Sequence, residues 1–195
     1  MKYLIGIDLG TSAVKAARLD TDGNILDAGA AEYPLYQPQN GYAEQNPDDW
    51  WNAVKPLLDG IIDKAGAQNI AGIGLSGQMH GLVTLDESGK VIRPAILWCD
   101  QRTGAQCEQI TQNIGAERLI ELTANPALPG FTASKFCGCG STNRRIMRNA
   151  GIFFCQRTIS GISLPACLPL MCPTPAVCSC WTSKNAFGRR KSWKN

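Results

Sequence analysis

One junction, between Lys135 and Phe136, decides how much of this 195-residue chain can share a single fold. The residues before it carry ten basic and sixteen acidic side chains, a net charge of −6, whereas those after it carry nine basic side chains and no acidic one. Seven of the nine cysteines also lie beyond the junction. Because local patterning in a natural protein agrees with its global fold, such unlike segments are not expected to form one core. Fold and function are therefore sought in residues 1–135.

Strand and helix signals alternate along residues 1–135, a pattern typical of an α/β layer fold. Apolar runs predict strands at 3–8, 13–19, from 25 onward and, as a buried strand, at 70–75, with a hairpin of 82–85 and 91–97. Helical spacing of apolar residues predicts helices from Trp50 to Ile62, at 104–114 and at 116–122. Asn46 or Asp48 is expected to cap the first helix, and the polar residues 34–46 to form a loop.

The first chemical motif is residues 6–12, Gly-Ile-Asp-Leu-Gly-Thr-Ser, which places Asp8 at a strand end before a tight turn. Backbone N–H groups and short hydroxyls in such a turn bind phosphate oxygens. A carboxylate can hold the Mg²⁺ that neutralises them, directly or through water. The alternative is a β-hairpin in which Gly10 only permits the turn. The motif opens the fold and Lys15 follows in the next strand, which favours the phosphate-binding interpretation.

Two further polar segments follow predicted strands. Residues 76–81, Ser-Gly-Gln-Met-His-Gly, offer Gln78 and His80 as hydrogen-bonding groups for sugar hydroxyls, with glycines that allow a close approach. His80 is the single histidine of the chain, and a lone histidine is more often structural than functional. Residues 98–102, Trp-Cys-Asp-Gln-Arg, are the third segment, and their alternative is a solvated turn with Trp98 in the core.

Five segments together resemble the FGGY carbohydrate kinases of the actin-like ATPase superfamily. In family order, they are residues 6–12, 41–51, 77–81, 93–100 and 128–135. The run Gln-Met-His-Gly at 78–81 favours the members that act on xylulose over those that act on glycerol. The resemblance implies an incomplete actin-like (ribonuclease H-like) α/β domain in residues 1–135. Residues 136–195 are expected to be a poorly ordered tail and not a domain.

The resemblance also implies a reaction, the transfer of the γ-phosphoryl group of ATP to the 5-hydroxyl of D-xylulose with Mg²⁺. It assigns three sets of residues: Asp8 as the carboxylate important for activity and near the metal; Gly10, Thr11, Ser12 and Lys15 as the ATP-phosphate site; and Met79, His80, Trp98, Asp100 and Arg102 as the sugar site. Kinases of gluconate, ribulose or glycerol are the alternatives within the family. A non-enzymatic actin-like or Cys-rich binding module is the alternative outside it.

Two parts of the family pattern have no counterpart in this sequence. The family's catalytic base is an Asp in a Gly-Gly-Asp-Asn stretch, and a base is needed to take the proton from the attacking hydroxyl. A second domain that contacts adenosine and closes over the substrates is also missing. We therefore expect this chain to be inactive on its own.

The genetic code offers an explanation for the junction. Where the family has Leu-Leu-Trp after the lysine, this chain has Phe-Cys-Gly-Cys-Gly, and the same bases translated one position earlier permit Leu-Leu-Trp-Val-Arg. The same offset at 153–159 and 173–181 permits two more runs typical of the family. We therefore hypothesise that one base was lost near codon 136. An out-of-frame, Cys-rich tail broken by prolines would have no packed core and would be an aggregation hazard.

Composition disfavours several other classes of function. The sequence has no export signal and no apolar run of membrane-spanning length, which predicts a cytoplasmic protein whose Cys99 and Cys107 are ordinary thiols. The Cys-x-Cys pairs of the tail lack the usual zinc-ligand spacing and a histidine. The basic run at 189–191 is too short to indicate nucleic-acid binding. The expected partners are ATP and a small sugar, with homodimers of the full-length family members and with neither nucleic acid nor membrane.

Overall fold

The structure, a computed structural model, describes residues 1–142, 152–155 and 181–182, with side chains through residue 140. The described residues divide into two compact units. The first contains Met1–Leu35 and Gln45–Gln78, and the second contains Tyr36–Glu44 and the described residues from Met79 onward. Each unit contains α-helix and strand, so the predicted α/β class is confirmed.

The strands of the described residues are β1 (Tyr3–Leu9), β2 (Ala13–Leu19), β3 (Ile25–Glu32), β4 (Glu44–Gln45), β5 (Ile70–Gly77), β6 (Leu82–Leu85), β7 (Ala95–Ile96), β8 (Ile152–Cys155) and β9 (Trp181–Thr182). The α-helices are α1 (Pro47–Ala65), α2 (Gly104–Ile114), α3 (Ala116–Thr123) and α4 (Thr132–Thr142). A short 3₁₀ turn, Ala67–Asn69, precedes β5. Within this part of the chain, no helix is both long and apolar enough to cross a bilayer.

The sheet of the first unit has the strand order β3-β2-β1-β5. The first three strands are antiparallel neighbours, and β5 runs parallel to β1. Successive side chains of a strand point to opposite faces, and Ile5, Ile7 and Leu9 of β1 are all buried on one face. The three predicted N-terminal strands are therefore confirmed, and the alternate residues of β1, which include Asp8, occupy the other face.

Helix α1 packs on the buried face of this sheet. The side chain of Asn46 accepts the Asp48 N–H at 3.2 Å, as the predicted cap, and the helix ends at Gly66 with φ at 76°. Its apolar stripe, which includes Trp50, is buried. Each such side chain contributes about 1.5–3 kcal/mol relative to full exposure. At Gly29 of β3 the helix approaches so closely that a Cβ would lie 2.9 Å from the Leu57 side chain.

Strand β5 differs from its prediction as a buried strand. It lies at one edge of the four-stranded sheet, and none of its residues is fully buried. The apolar run that predicted burial includes Gly72 and Gly74, which have no side chain to place in a core. Glycine in a strand weakens packing and marks a close backbone approach, so hydropathy alone overestimated burial here.

The second unit contains the sheet β4-β7-β6-β8-β9. The predicted hairpin is confirmed, since β6 pairs antiparallel with β7 and Leu85 bridges to Val91. Its turn is closed by Asp86, whose carboxylate accepts the N–H groups of Ser88 and Lys90 at 2.9 Å each. Helices α2 and α3 confirm the other two helix predictions.

Helix α4 runs across the junction at residue 135. Just beyond it, Cys139 packs in a small core with Leu82 and Ile96. The described part of the tail therefore contacts residues that precede the junction. Strand β8 pairs with β6, and β9 pairs with β8. The rest of the tail lies outside the described residues, and the domain boundary at 135 stays a prediction.

Candidate functional site

In the first unit, Asp8 and Lys15 lie opposite each other on neighbouring strands. They are cross-strand partners of β1 and β2, and Ser76 of β5 is the parallel partner of Asp8. Partners in register share a face of the sheet, and all three side chains are exposed. The structure therefore brings the predicted metal-binding carboxylate and the predicted phosphate-binding lysine together.

An open concavity of about 770 Å³ lies over this face of the sheet. Asp8 and Lys15 line it, and Gly6, Ala17 and Gly74 are among the small residues of its floor. Because these residues have little or no side chain, a ligand could approach the sheet backbone closely.

The turn formed by Gly10, Thr11 and Ser12, here called the phosphate loop, is held to the protein by its carbonyl groups. The Gly10 carbonyl accepts hydrogen bonds from the Tyr33 hydroxyl and, at 2.9 Å, from the Gln78 side-chain amide. The Thr11 carbonyl accepts from Gln45 Nε2 at 2.7 Å. The Ser12 carbonyl accepts from the Tyr33 N–H at 3.2 Å.

The turn has no room for a side chain at Gly10. Its N–H donates to the Ala13 carbonyl at 3.0 Å, and a Cβ built at Gly10 would lie 2.9 Å from that same oxygen. Tyr33 is suited to its role as a donor, because burial and the nearby Asp8 carboxylate raise the pKa of its hydroxyl. The hydroxyl thus remains protonated at neutral pH.

The donor set near Asp8 fits Mg²⁺ only in part. Among the described residues, no group of three or more His, Cys, Asp or Glu side chains is placed to hold a metal ion. Magnesium in phosphoryl-transfer sites is commonly held by one or two carboxylates together with substrate phosphates and water. Asp8 is therefore consistent with a metal that arrives with a polyphosphate.

In the second unit, His80 is held through its backbone and its ring. Its carbonyl accepts from Thr132 Oγ1 at 3.3 Å and lies 3.4 Å from Lys135 Nζ. Its imidazole makes an edge-to-face contact with Phe131, with ring centroids 4.9 Å apart. Both His80 and Phe131 line a pocket of about 270 Å³ that reaches Leu119 of α3.

Lys135 is a residue that sequence reasoning did not assign to the site. It is fully buried, at 0 % exposure, and its ammonium also donates to the carbonyls of Gly130 and Phe131. Desolvation lowers the pKa of Lys135 to about 8, against the favourable charge of Asp100. A buried lysine ligated by carbonyls gives no periodic signal in a sequence.

The remaining predicted sugar-site residues lie in two different environments. Trp98 is 48 % exposed and Met79 is 45 % exposed, so the alternative that buried Trp98 in the core is wrong. Asp100 is fully buried, and its carboxylate accepts the Ala43 N–H at 2.7 Å and the Arg102 N–H at 3.0 Å. The turn is thus held by a buried carboxylate instead of being solvated.

Arg102 is similarly committed to neighbours within the second unit. Its guanidinium donates to Asp100 at 2.6 Å, pairs with Glu44 at 2.6 Å and lies 3.8 Å above the Tyr42 ring. These contacts indicate that Asp100 and Arg102 shape the segment that presents Trp98. Their direct contact with a sugar stays a prediction.

Comparison with known proteins decides the family. Residues 3–159 match the model of the FGGY family of carbohydrate kinases, N-terminal domain. The chain belongs to the FGGY family of carbohydrate kinases. A xylulose kinase from Lactococcus lactis is 47% identical over 137 residues, which cover 69% of this chain and 27% of that protein. A xylulose kinase from Bacillus subtilis is 42% identical over 155 residues, covering 78% of this chain and 31% of that protein.

A solved structure of the same family agrees with the fold. The crystal structure of a xyloylose kinase from Brucella ovis superposes with a TM-score of 0.75 at 31% sequence identity, covering 81% of this chain and 32% of that one. The predicted fold class and family resemblance are thereby confirmed. The FGGY chain described here spans less than a third of the length of the curated relatives named above.

Proposed function

We propose that this FGGY chain carries part of the ATP and sugar sites of a kinase that phosphorylates D-xylulose at its 5-hydroxyl. The observation that supports it most is the phosphate loop, whose three carbonyls are all bonded to the protein while Asp8 and Lys15 lie exposed on the adjoining strands. The Gln-Met-His-Gly run and the identity to xylulose kinases favour this sugar.

In this proposal the chain's own groups position the phosphates. Phosphoryl transfer depends mainly on positioning and on stabilising charge, and ATP with Mg²⁺ would supply the transferred group and the counter-charge. Backbone N–H groups of the phosphate loop and Lys15 would bind phosphate oxygens, and Asp8 would hold the metal. Met79 and His80 would contact the sugar, with Trp98 exposed beside Asp100 and Arg102 to line the pocket.

Ligand binding by the purified chain tests both the proposed sugar site and the proposed ATP site. The His80 imidazole has the only histidine signals in an NMR spectrum, so a titration with D-xylulose should shift them, whereas gluconate, ribulose and glycerol should shift them less. Magnesium ATP should shift the amide signals of Thr11 and Ser12. A stronger response to gluconate or glycerol would assign the chain to another sugar, and stoichiometric zinc uptake without sugar binding would favour the Cys-rich module.

We propose further that the 195-residue chain does not catalyse phosphoryl transfer on its own and that residues beyond 135 are translated out of frame. An assay of ADP release with D-xylulose and ATP should therefore give only background. Sequencing of the gene around codon 136 should show a one-base offset that restores the family pattern. An open frame with no such offset would end the frameshift hypothesis without touching the proposed sugar and nucleotide binding.

A further inference from the structure

We propose that Gln45 is a positioning residue that sets the phosphate loop for polyphosphate binding, with Tyr33 and Gln78 as its supports. This inference rests on the proposed nucleotide site and assigns a role to Gln45, a residue that the sequence pattern did not single out. Gln45 begins the connection into helix α1, yet it is fully buried, at 0 % exposure. A buried amide is expected to have its hydrogen bonds satisfied by the protein.

Both ends of the Gln45 amide have partners that fix its orientation. Nε2 donates to the Thr11 carbonyl at 2.7 Å and to the Pro34 carbonyl at 3.3 Å. Oε1 accepts from the indole N–H of Trp50 at 3.0 Å. An indole N–H can only donate and a carbonyl can only accept, so the opposite orientation of the amide would break all three bonds. Trp50 therefore determines that Gln45 presents its N–H₂ group to the phosphate loop.

The neighbouring carbonyl is held in a similar way. Tyr33 contributes twice, through its hydroxyl to Gly10 and through its N–H to Ser12, while Gln78 adds the second bond to Gly10. In a trans peptide the C=O and N–H point in opposite directions. Anchoring the carbonyls of Gly10 and Thr11 on these side chains therefore directs the N–H groups of Thr11 and Ser12 away from the anchors. Successive backbone N–H groups that point the same way can form an anion-binding concavity.

Gln78 also has an acceptor that no described residue uses. The side chain is 8 % exposed, and its Oε1 is buried without a hydrogen-bond partner in the described residues. An unsatisfied buried acceptor is costly unless a ligand or water donates to it. This oxygen belongs to the same amide group whose Nε2 holds Gly10.

The test compares Gln45→Met with a matched control in the same unit. Methionine keeps the length of the side chain and removes all three hydrogen bonds of the amide. Asn69→Leu removes a comparable bond, from Asn69 Nδ2 to the Ala65 carbonyl at 2.8 Å, at the far end of α1. Magnesium tripolyphosphate is the probe, because it presents phosphates without an adenosine.

We expect Gln45→Met to weaken tripolyphosphate binding about tenfold. A tenfold change in affinity corresponds to roughly the net free energy of one hydrogen bond. Amide hydrogen exchange of Gly10 and Tyr33, whose N–H groups bond the Ala13 and Ser12 carbonyls, should accelerate by a similar factor in the unliganded protein, while that of Ile7 in β1 stays unchanged. Asn69→Leu should leave loop exchange and affinity at the wild-type values. A purely structural role would instead change the exchange of Ile7 and of the loop together.

Each alternative outcome has a separate meaning. If wild-type protein binds no tripolyphosphate, the proposed nucleotide site fails, yet the loop exchange rates still decide whether Gln45 positions the loop. If the wild type binds and Gln45→Met keeps wild-type affinity and loop exchange, the inference is overturned and the proposed function stands. If Gln45→Met does not fold, Tyr33→Phe replaces it, since it removes one oxygen atom and one bond to Gly10. Wild-type behaviour of Tyr33→Phe would then overturn the inference.

Discussion

At the scale of the residue, Lys135 combines complete burial with a pKa well below that of an ordinary lysine. Its ammonium is buried against carbonyl groups of the segment that also holds His80. Burial of a cation without a paired carboxylate disfavours the charged form, which is why the pKa of Lys135 falls to about 8. Its charge state therefore links the stability of the second unit to pH in a range where most lysines do not titrate.

The first prediction concerns this pH dependence. Between about pH 8 and 10.5 the unfolded chain keeps a proton that the folded chain has released, so the free energy of unfolding should rise with pH over that window. Relative to Lys135→Met, the wild type should gain about 1 kcal/mol per pH unit. Urea unfolding of both proteins from pH 7 to 10 measures the difference. A difference that does not change with pH would contradict the lowered pKa.

The second prediction concerns two glycines of the first unit. Gly10→Ala places a Cβ 2.9 Å from a backbone oxygen, so the loop must shift, and we expect a loss of about 1–3 kcal/mol in unfolding free energy together with weaker polyphosphate binding. Gly60→Ala, in α1, meets nothing within 4 Å and should gain about 0.5–1 kcal/mol. Urea unfolding compares them. Equal effects would show that the loop has room which the structure does not indicate.

At the scale of the element, the sequence predicted what depends on local pattern and missed what depends on distant partners. Helix α1 followed from its cap and its apolar spacing, and β1 from its apolar run. The exposure of β5 did not follow, because edge position is set by which strands pair. The Gln45 amide and Lys135 were missed for the same reason, since their partners lie far away in the sequence or in an irregular turn. Asp8 and Lys15 were assigned through their motif and the family resemblance, and the β1–β2 hairpin places them opposite each other.

The cap of α1 gives the third prediction. Asn46→Ala removes the acceptor of the Asp48 N–H and should lower the free energy of unfolding by about 1 kcal/mol. Asn113→Ala, at an exposed position within α2, is the control and should change stability by less than about 0.5 kcal/mol. Thermal unfolding of the two variants distinguishes capping from a general preference for alanine. Equal losses would mean that Asn46 contributes nothing as a cap.

At the scale of the whole molecule, the junction meets the fold at helix α4. Gly138 lies against α2, and a Cβ built there would approach Thr103 Cγ2 to 3.1 Å. Under the frameshift hypothesis tryptophan would stand at this position, and it needs more room than the present packing leaves beside Thr103. In the present chain, glycine at position 138 allows α4 to pack closely against Thr103 and Gln106.

The fourth prediction tests this packing. Gly138→Trp alone should destabilise the present chain by about 1–3 kcal/mol through overpacking. Cys137→Leu, at the exposed neighbouring position, should change stability by less than about 0.5 kcal/mol. Urea unfolding of each variant provides the comparison. A neutral Gly138→Trp would show that α4 is not held against α2 at this point.

The position of β5 has a consequence for handling the protein. Its eight residues contain neither a charged side chain nor a proline. Natural sheets use these features to prevent an edge strand from pairing with a strand of another molecule. No other described strand is its neighbour on the outer side. A high protein concentration would therefore favour intermolecular hydrogen bonding along the edge strand β5. Spectra should be recorded at the lowest protein concentration that gives sufficient signal.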